Sequence, residues 1–165
     1  GADGQPRSIR DNPGKGRAFY ECFFPKHPGD LDLPALDDDE RDYGPMREIT
    51  RAQIRRIINR LAPYKAPGPD GIPNIVWKRC LERVLEWLYW IFRGCTDSGY
   101  YFEPWREFLT VVLRKPGRPS YAVPKAYRPV ALYNTLAKIL SACVAEDLSY
   151  LAESKGLLPP THFGG

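Results

Sequence analysis

Between two amphipathic segments, the run Lys65-Ala66-Pro67-Gly68-Pro69-Asp70-Gly71-Ile72-Pro73 leaves the backbone little freedom. Pro67, Pro69 and Pro73 hold φ near about −65° and remove three donors, whereas Gly68 and Gly71 permit positive φ. The loop is therefore stiff, and it separates two helices. Upstream, Thr50 and Gln53 have the spacing of a capping box, in which each side chain answers the other's backbone N–H. Ile54, Ile57, Ile58 and Leu61 then share one face, with Arg51, Arg55, Arg56 and Arg60 mostly elsewhere, and the helix ends before Pro63.

Downstream, the pattern predicts a longer helix from about Asn74 to Ser98, stopped by Gly99. Val76, Cys80, Leu81, Val84, Leu85, Leu88 and Ile91 make its apolar stripe. Trp77, Trp87 and Trp90 widen that stripe, which predicts burial on more than one side. Phe108 to Leu113 is a β-branched run of strand length, and Tyr127 to Leu132 reads as a second strand. The turn Arg114-Lys115-Pro116-Gly117-Arg118-Pro119 and a basic loop separate them, giving an antiparallel hairpin with a long tip. Pro129 indicates an edge position or a bulge. A last helix is expected from Thr135 to Ser154, N-capped by Asn134 and ended by Gly156, with Leu136, Ile139, Leu140, Cys143, Val144, Leu148 and Leu151 toward the core. The fold class is α+β. Residues 1–49, rich in Gly, Pro and Asp, read as a poorly ordered acidic lead-in, with Phe19, Tyr20, Phe23 and Phe24 as one aromatic cluster able to dock on the body.

Charge is unevenly distributed. Residues 1–50 hold 7 Lys/Arg against 11 Asp/Glu, a net of −4, and residues 51–165 hold 17 against 9, a net of +8. A basic body of this kind suits a polyanionic partner. The four cysteines form no CxxC pair and only two histidines are present, which argues against a zinc site. Cys80 and Cys143 fall in apolar helical patterns as buried free thiols, a usage that fits a reducing compartment. The run Asp37-Asp38-Asp39-Glu40 reads as a solvated acidic loop, since consecutive carboxylates point in different directions. No apolar run reaches the roughly 18 residues of a membrane span.

Four segments in order carry a family likeness: Lys65 to Asn74, Val111 to Gly117, Tyr127 to Leu132, and Leu157 to Gly165. Together they resemble the reverse-transcriptase domain of non-LTR (LINE-like) retrotransposons, most like fungal elements, over roughly residues 45–165. The resemblance implies an incomplete right hand: fingers helices and the hairpin, with the palm carboxylate strands and the thumb absent. Residues 50–165 would be a partial domain comprising fingers and the start of the palm, and Gly1 in place of Met reads as the start of an excerpt. In the family the hairpin covers the incoming nucleotide, so the resemblance implies that Lys115 and Arg128 approach the triphosphate. Both residue types suit that task, Arg as a planar fork and Lys as a compact charge. On spacing alone they are equally solvated basic residues beside a turn.

Lys65, Gly68, Gly71 and Arg118 are candidate template contacts, through backbone N–H groups and charge. The Pro/Gly loop also reads as a stiff connector in which Asp70 caps local N–H groups. The arginines of the first helix could line a template path or form a solvated face, and the tryptophans of the second could be core or stacking platforms. Asp147 and His162 depart from the family pattern, which commonly has a basic residue and Gln at those positions. No catalytic residue and no metal ligand is assigned, because the family's catalytic carboxylates follow the Phe-Gly-Gly segment. Mg²⁺ is implied for the complete enzyme only. The implied partners are an RNA template, a DNA primer, dNTPs and the remaining palm and thumb, in an intracellular ribonucleoprotein, nuclear or cytoplasmic, without a membrane. A non-catalytic nucleic-acid-binding remnant and a decayed open reading frame are the alternatives.

Overall fold

A computed structural model describes residues 9–26, 29 and 44–158. The Asp37–Glu40 run and His162 lie outside the described residues. The chain divides into two compact units, Gly1–Asp39 with Thr110–Val130, and Glu40–Leu109 with Ala131–Gly165. The described residues form four α-helices and a two-stranded antiparallel sheet, an α+β arrangement.

In the first unit, α1 (Asn12–Phe23) forms inside the segment whose composition suggested disorder. The Asp11 side chain accepts from the Gly14 N–H, and Pro13 occupies the first turn, where a missing N–H costs no hydrogen bond. Gly14 and Gly16 mask the element in the sequence. The pair Phe19 and Phe23, four residues apart, marks it, and their rings stack at 5.9 Å. Phe19 also meets Tyr127 edge-on at 4.9 Å, so part of the aromatic cluster docks as expected, whereas Tyr20 and Phe24 are exposed.

The second unit is built on α2 (Arg51–Arg60), α3 (Asn74–Ser98) and α4 (Thr135–Ser154). The capping box at Thr50 and Gln53 is present in both directions. Ile54, Ile57 and Ile58 of α2 pack with Leu81, Leu85, Leu88 and Phe92 of α3 and with Ala137, Ile139, Leu140 and Cys143 of α4. Arg51 pairs with Glu86 and Arg55 with Glu82, so α2 and α3 run antiparallel. At the end of α2, Lys78 of α3 donates to the carbonyls of Asn59, Leu61 and Ile58, the last of which also accepts from the Leu61 N–H.

The stiff loop is tied to the start of α4. The Asn74 amide donates to the Ala62 carbonyl (2.8 Å), and its oxygen accepts from the Thr135 hydroxyl (2.8 Å). Asn134 occupies the N-cap position of α4, yet its side chain does not cap that helix. Its oxygen accepts instead from the Asp70 N–H (3.1 Å), and its amide donates to the Pro104 carbonyl (3.4 Å). Gly68 is buried at this junction. A Cβ there would stand 2.4 Å from Tyr133 C and from Asn134 N.

Two expectations about buried faces fail. Trp87 and Trp90 are 72% and 63% exposed, and Val76, Ile91 and Leu148 are exposed as well. The core of α3 follows Leu81, Leu85, Leu88 and Phe92 alone, because α2 and α4 cover one side of it. Apolar periodicity in α3 is broader than the face its neighbours fill. In α4, Asp147 is buried in place of Leu148, with its carboxylate bound by Arg47 (3.0 Å) and Gln53. The expected loss of a positive charge at this position is thus an internal ion pair.

Cys143 is fully buried, and burial pushes its thiol up to about 12, with Glu146 and Asp147 adding to the effect. Cys80 is half-buried and Cys22 exposed. A thiol reagent at pH 8 will therefore label Cys22 quickly and Cys143 only after denaturant is added; mass spectrometry of native and unfolded samples reads the difference. Two glycines give a second check. Gly68→Ala forces a methyl into backbone and should cost about 2–3 kcal/mol in urea melts. Gly94→Ala, on an open helical position with nothing within 4 Å of a Cβ, should add about 0.5–1 kcal/mol.

Candidate nucleotide and nucleic-acid interface

β1 (Phe108–Arg114) and β2 (Tyr127–Tyr133) form the hairpin, close to the two strands expected. The Lys115 N–H donates to the Ala126 carbonyl (2.9 Å), and the Phe108 and Tyr133 rings lie 4.8 Å apart. Both fit one antiparallel register, in which Leu113 faces Arg128 and Val112 faces Pro129. Hydrogen-bonded and non-hydrogen-bonded pairs alternate along such a ladder, so Pro129 falls where its missing N–H takes nothing from the sheet. With two strands among the described residues, both are edges there, one of the two positions Pro129 indicated. The same register puts Lys115 and Arg128 on one face as diagonal neighbours.

Aromatic side chains hold the long tip in shape. The Tyr121 hydroxyl donates to the Lys115 carbonyl (2.9 Å), and the Tyr127 hydroxyl donates to the Tyr121 carbonyl (3.2 Å). The two rings meet edge-on at 5.8 Å, and the Arg114 guanidinium lies 5.1 Å from the Tyr121 centroid. Gly117 supplies the positive φ (72°) of the turn, and a 3-10 turn at Pro124–Ala126 returns the chain to β2.

The cations on this tip have no carboxylate partners among the described residues. The Lys115 ammonium donates to the Lys125 carbonyl (3.1 Å), which orients it and leaves two of its three donors. Arg118, Lys125 and Arg128 are exposed. Lys125 and Arg114 were missed as candidates. The signal for them is a run from Phe108 to Ala145 that contains six Lys/Arg and no Asp or Glu.

The arginines of α2 have a different fate. Arg51 and Arg55 are paired with Glu86 and Glu82, while Arg56 and Arg60 both reach Glu146. Hydrogen bonds from Arg55 and Arg51 hold Glu82 and Glu86 below the ordinary carboxylate range. Depressed values mean that these pairs contribute fully above that range and are lost as pH falls through them. The α2 arginines are thus committed to neighbouring helices.

The Pro/Gly loop of the second unit has the geometry of a stiff connector. Gly71 has φ of 67°, its N–H donates to the Gly68 carbonyl (3.0 Å), and Asp70 accepts from the Ile72 N–H (3.0 Å), as a stiff connector requires. Gly68 is buried and packs against backbone. Lys65 and Gly71 are exposed. Among the described residues no group of three or more His, Cys, Asp or Glu could hold a metal ion, so they do not fit as a Mg²⁺ ligand set. No helix among them is long and apolar enough to cross a membrane.

Fold and site together define an α+β piece of protein that presents unneutralised cations on a stiffened hairpin. The chain is 27% identical over 120 residues to the probable RNA-directed DNA polymerase from transposon BS of Drosophila melanogaster, and 27% identical over 120 residues to the RNA-directed DNA polymerase from mobile element jockey of the same fly. It is 25% identical over 136 residues to a retrovirus-related Pol polyprotein from type-1 retrotransposable element R1 of Bradysia coprophila. These matches cover 73%, 73% and 82% of this chain and 13% of each relative. No family model matches the chain. Over about three quarters of its length, the chain is therefore homologous to a small part of RNA-directed DNA polymerases of non-LTR retrotransposons.

The tip scaffold has a direct test. Tyr121→Ala removes one hydrogen bond and two ring contacts, which should loosen the loop by about 1–2 kcal/mol. Amide exchange at Lys115 and Ala126 should accelerate by roughly tenfold while the helices stay protected; unchanged exchange would show that Tyr121 does not hold the tip.

Proposed function

We propose that this chain is the fingers portion and the start of the palm, residues 50–165, of an RNA-directed DNA polymerase of a non-LTR retrotransposon. In this reading the helices and hairpin belong to a right hand whose thumb and palm carboxylates lie elsewhere in the complete protein. The template would be RNA, the primer DNA and the substrates dNTPs, with Mg²⁺ held by other residues. A likeness to fungal elements and a place in an intracellular ribonucleoprotein are part of the same proposal.

One observation carries it: an ordered hairpin bears Lys115 and Arg128 on one face with no carboxylate partner among the described residues. A triphosphate is the kind of group such a face suits. The Lys115 ammonium would contribute a point charge, and the Arg128 guanidinium a planar pair of donors toward phosphate oxygens. Neither residue would move a proton; both would bind and orient the phosphates and offset charge as it builds during transfer. Arg118 at the turn, with Lys65 and Gly71 on the exposed side of the Pro/Gly loop, would meet template phosphates. Gly68 would serve by shaping that loop.

The test places this segment in an intact relative and assays polymerisation. Lys115→Ala and Arg128→Ala should each raise the KM for dNTP by about 10- to 100-fold, the effect of losing a charge-assisted hydrogen bond. Arg128→Lys should recover only part of the loss, because it lacks the fork. Nucleotide KM values within twofold of the parent would remove both residues from the nucleotide site.

A further inference from the structure

We infer that the outward face of α3 is a binding surface for single-stranded RNA, separate from the hairpin. At 3.6 residues per turn, Arg79, Arg83, Trp87, Trp90, Ile91 and Gly94 fall within a sector of roughly 120°, along roughly 22 Å of helix. All six are exposed. The opposite side of α3 carries the buried Leu81, Leu85, Leu88 and Phe92.

Three features identify the occupant. First, Trp87 and Trp90 present most of their surface to solvent, and Trp90 lies edge-on to Tyr89 at 5.0 Å with the Arg51 guanidinium 6.0 Å from its ring centroid. Exposed indoles are platforms on which bases of any sequence stack. Second, Arg79 and Arg83, one turn apart and next along the stripe, have no carboxylate partner among the described residues. The flanking Glu82 and Glu86 are already held by Arg55 and Arg51. The stripe therefore carries two uncompensated positive charges beside its aromatic half, a match for a phosphodiester backbone. An apolar protein surface would have to desolvate those guanidinium groups without return. Third, Gly94 is helical, and a Cβ there would meet nothing within 4 Å, so neither packing nor backbone conformation calls for glycine. It leaves a flat step next to Trp90 and Ile91 where a base can lie.

The choice of RNA rests on the proposed polymerase reading; the aromatic and cationic surface does not. The experiment uses the 165-residue chain and an oligoadenylate of about 15 nucleotides, followed by tryptophan fluorescence at two salt concentrations. Binding should quench the exposed indoles. Trp87→Ala with Trp90→Ala should abolish most of the quenching and weaken binding, read by anisotropy of a labelled RNA, at least tenfold. Trp87→Phe, which keeps a stacking ring, should retain most of the affinity. Arg79→Ala with Arg83→Ala should lower the slope of log affinity against log salt by about 1.4. Circular dichroism checks that each variant stays folded.

RNA affinity unchanged in the double tryptophan variant would overturn the inference. Equal binding of duplex RNA, tighter binding of the corresponding DNA strand, or self-association of the chain that depends on Trp87 and Trp90 would also overturn it. Lys115→Ala and Arg128→Ala should leave tryptophan quenching intact, and the α3 variants should leave nucleotide KM in the intact polymerase unchanged. Failure of one reading is thereby separable from failure of the other.

Discussion

The second unit depends on a small polar junction between the stiff loop and the first residues of α4. Asn74, Asn134 and Thr135 are all buried, and each makes a hydrogen bond that crosses more than twelve residues of sequence or caps a loop carbonyl. Such bonds add modest net stability, but an unmet partner at this depth would cost about 1–3 kcal/mol, so only one arrangement satisfies them all. Gly68 makes the approach possible, because any side chain would strike the backbone of Tyr133 and Asn134. The apolar contacts of α2, α3 and α4 are permissive of several relative shifts. The junction selects one.

Electrostatics divides the chain's many cations into two populations. On α2, each arginine finds a glutamate on α3 or α4, and the pairs register helices against one another while leaving little net charge. On the hairpin tip and on the outer face of α3, cations stand without such partners among the described residues. Total charge is silent about this distinction, since a net of +4 arises equally from scattered pairs. The local balance carries the functional information, because paired charges project little field beyond about a Debye length and unpaired ones attract phosphate.

Stiffness recurs where function is proposed. The hairpin tip is long, yet Tyr121 and Tyr127 hydrogen-bond its backbone and Phe19 packs on Tyr127. A cation on a floppy loop would lose conformational freedom on meeting a nucleotide, whereas one on a braced turn has less to lose. Pro129 leaves the ladder intact, since it sits at a position where the sheet asks for no donor.

Local chemistry determined much of this protein. The capping box at Thr50, the breaks at Pro63 and Gly99, the bounds of α3 and α4 and the two strands all follow from residues within a few positions of each other, and such signals survive in the sequence because they act through nearby backbone. That Lys115 and Arg128 share a hairpin was legible too, since a hairpin register is set by its own turn, and their role toward a nucleotide stays a proposal. Other features needed the tertiary structure. Whether Trp87 and Trp90 were core or surface depended on how many helices cover α3, and periodicity cannot count neighbours. Whether the α2 arginines were free depended on glutamates 27 to 90 residues away. The burial of Asp147, the role of Asn134 as a clasp instead of a cap, and the formation of α1 in a Gly- and Pro-rich stretch were likewise decided by contacts between distant segments, where packing outweighs intrinsic preference.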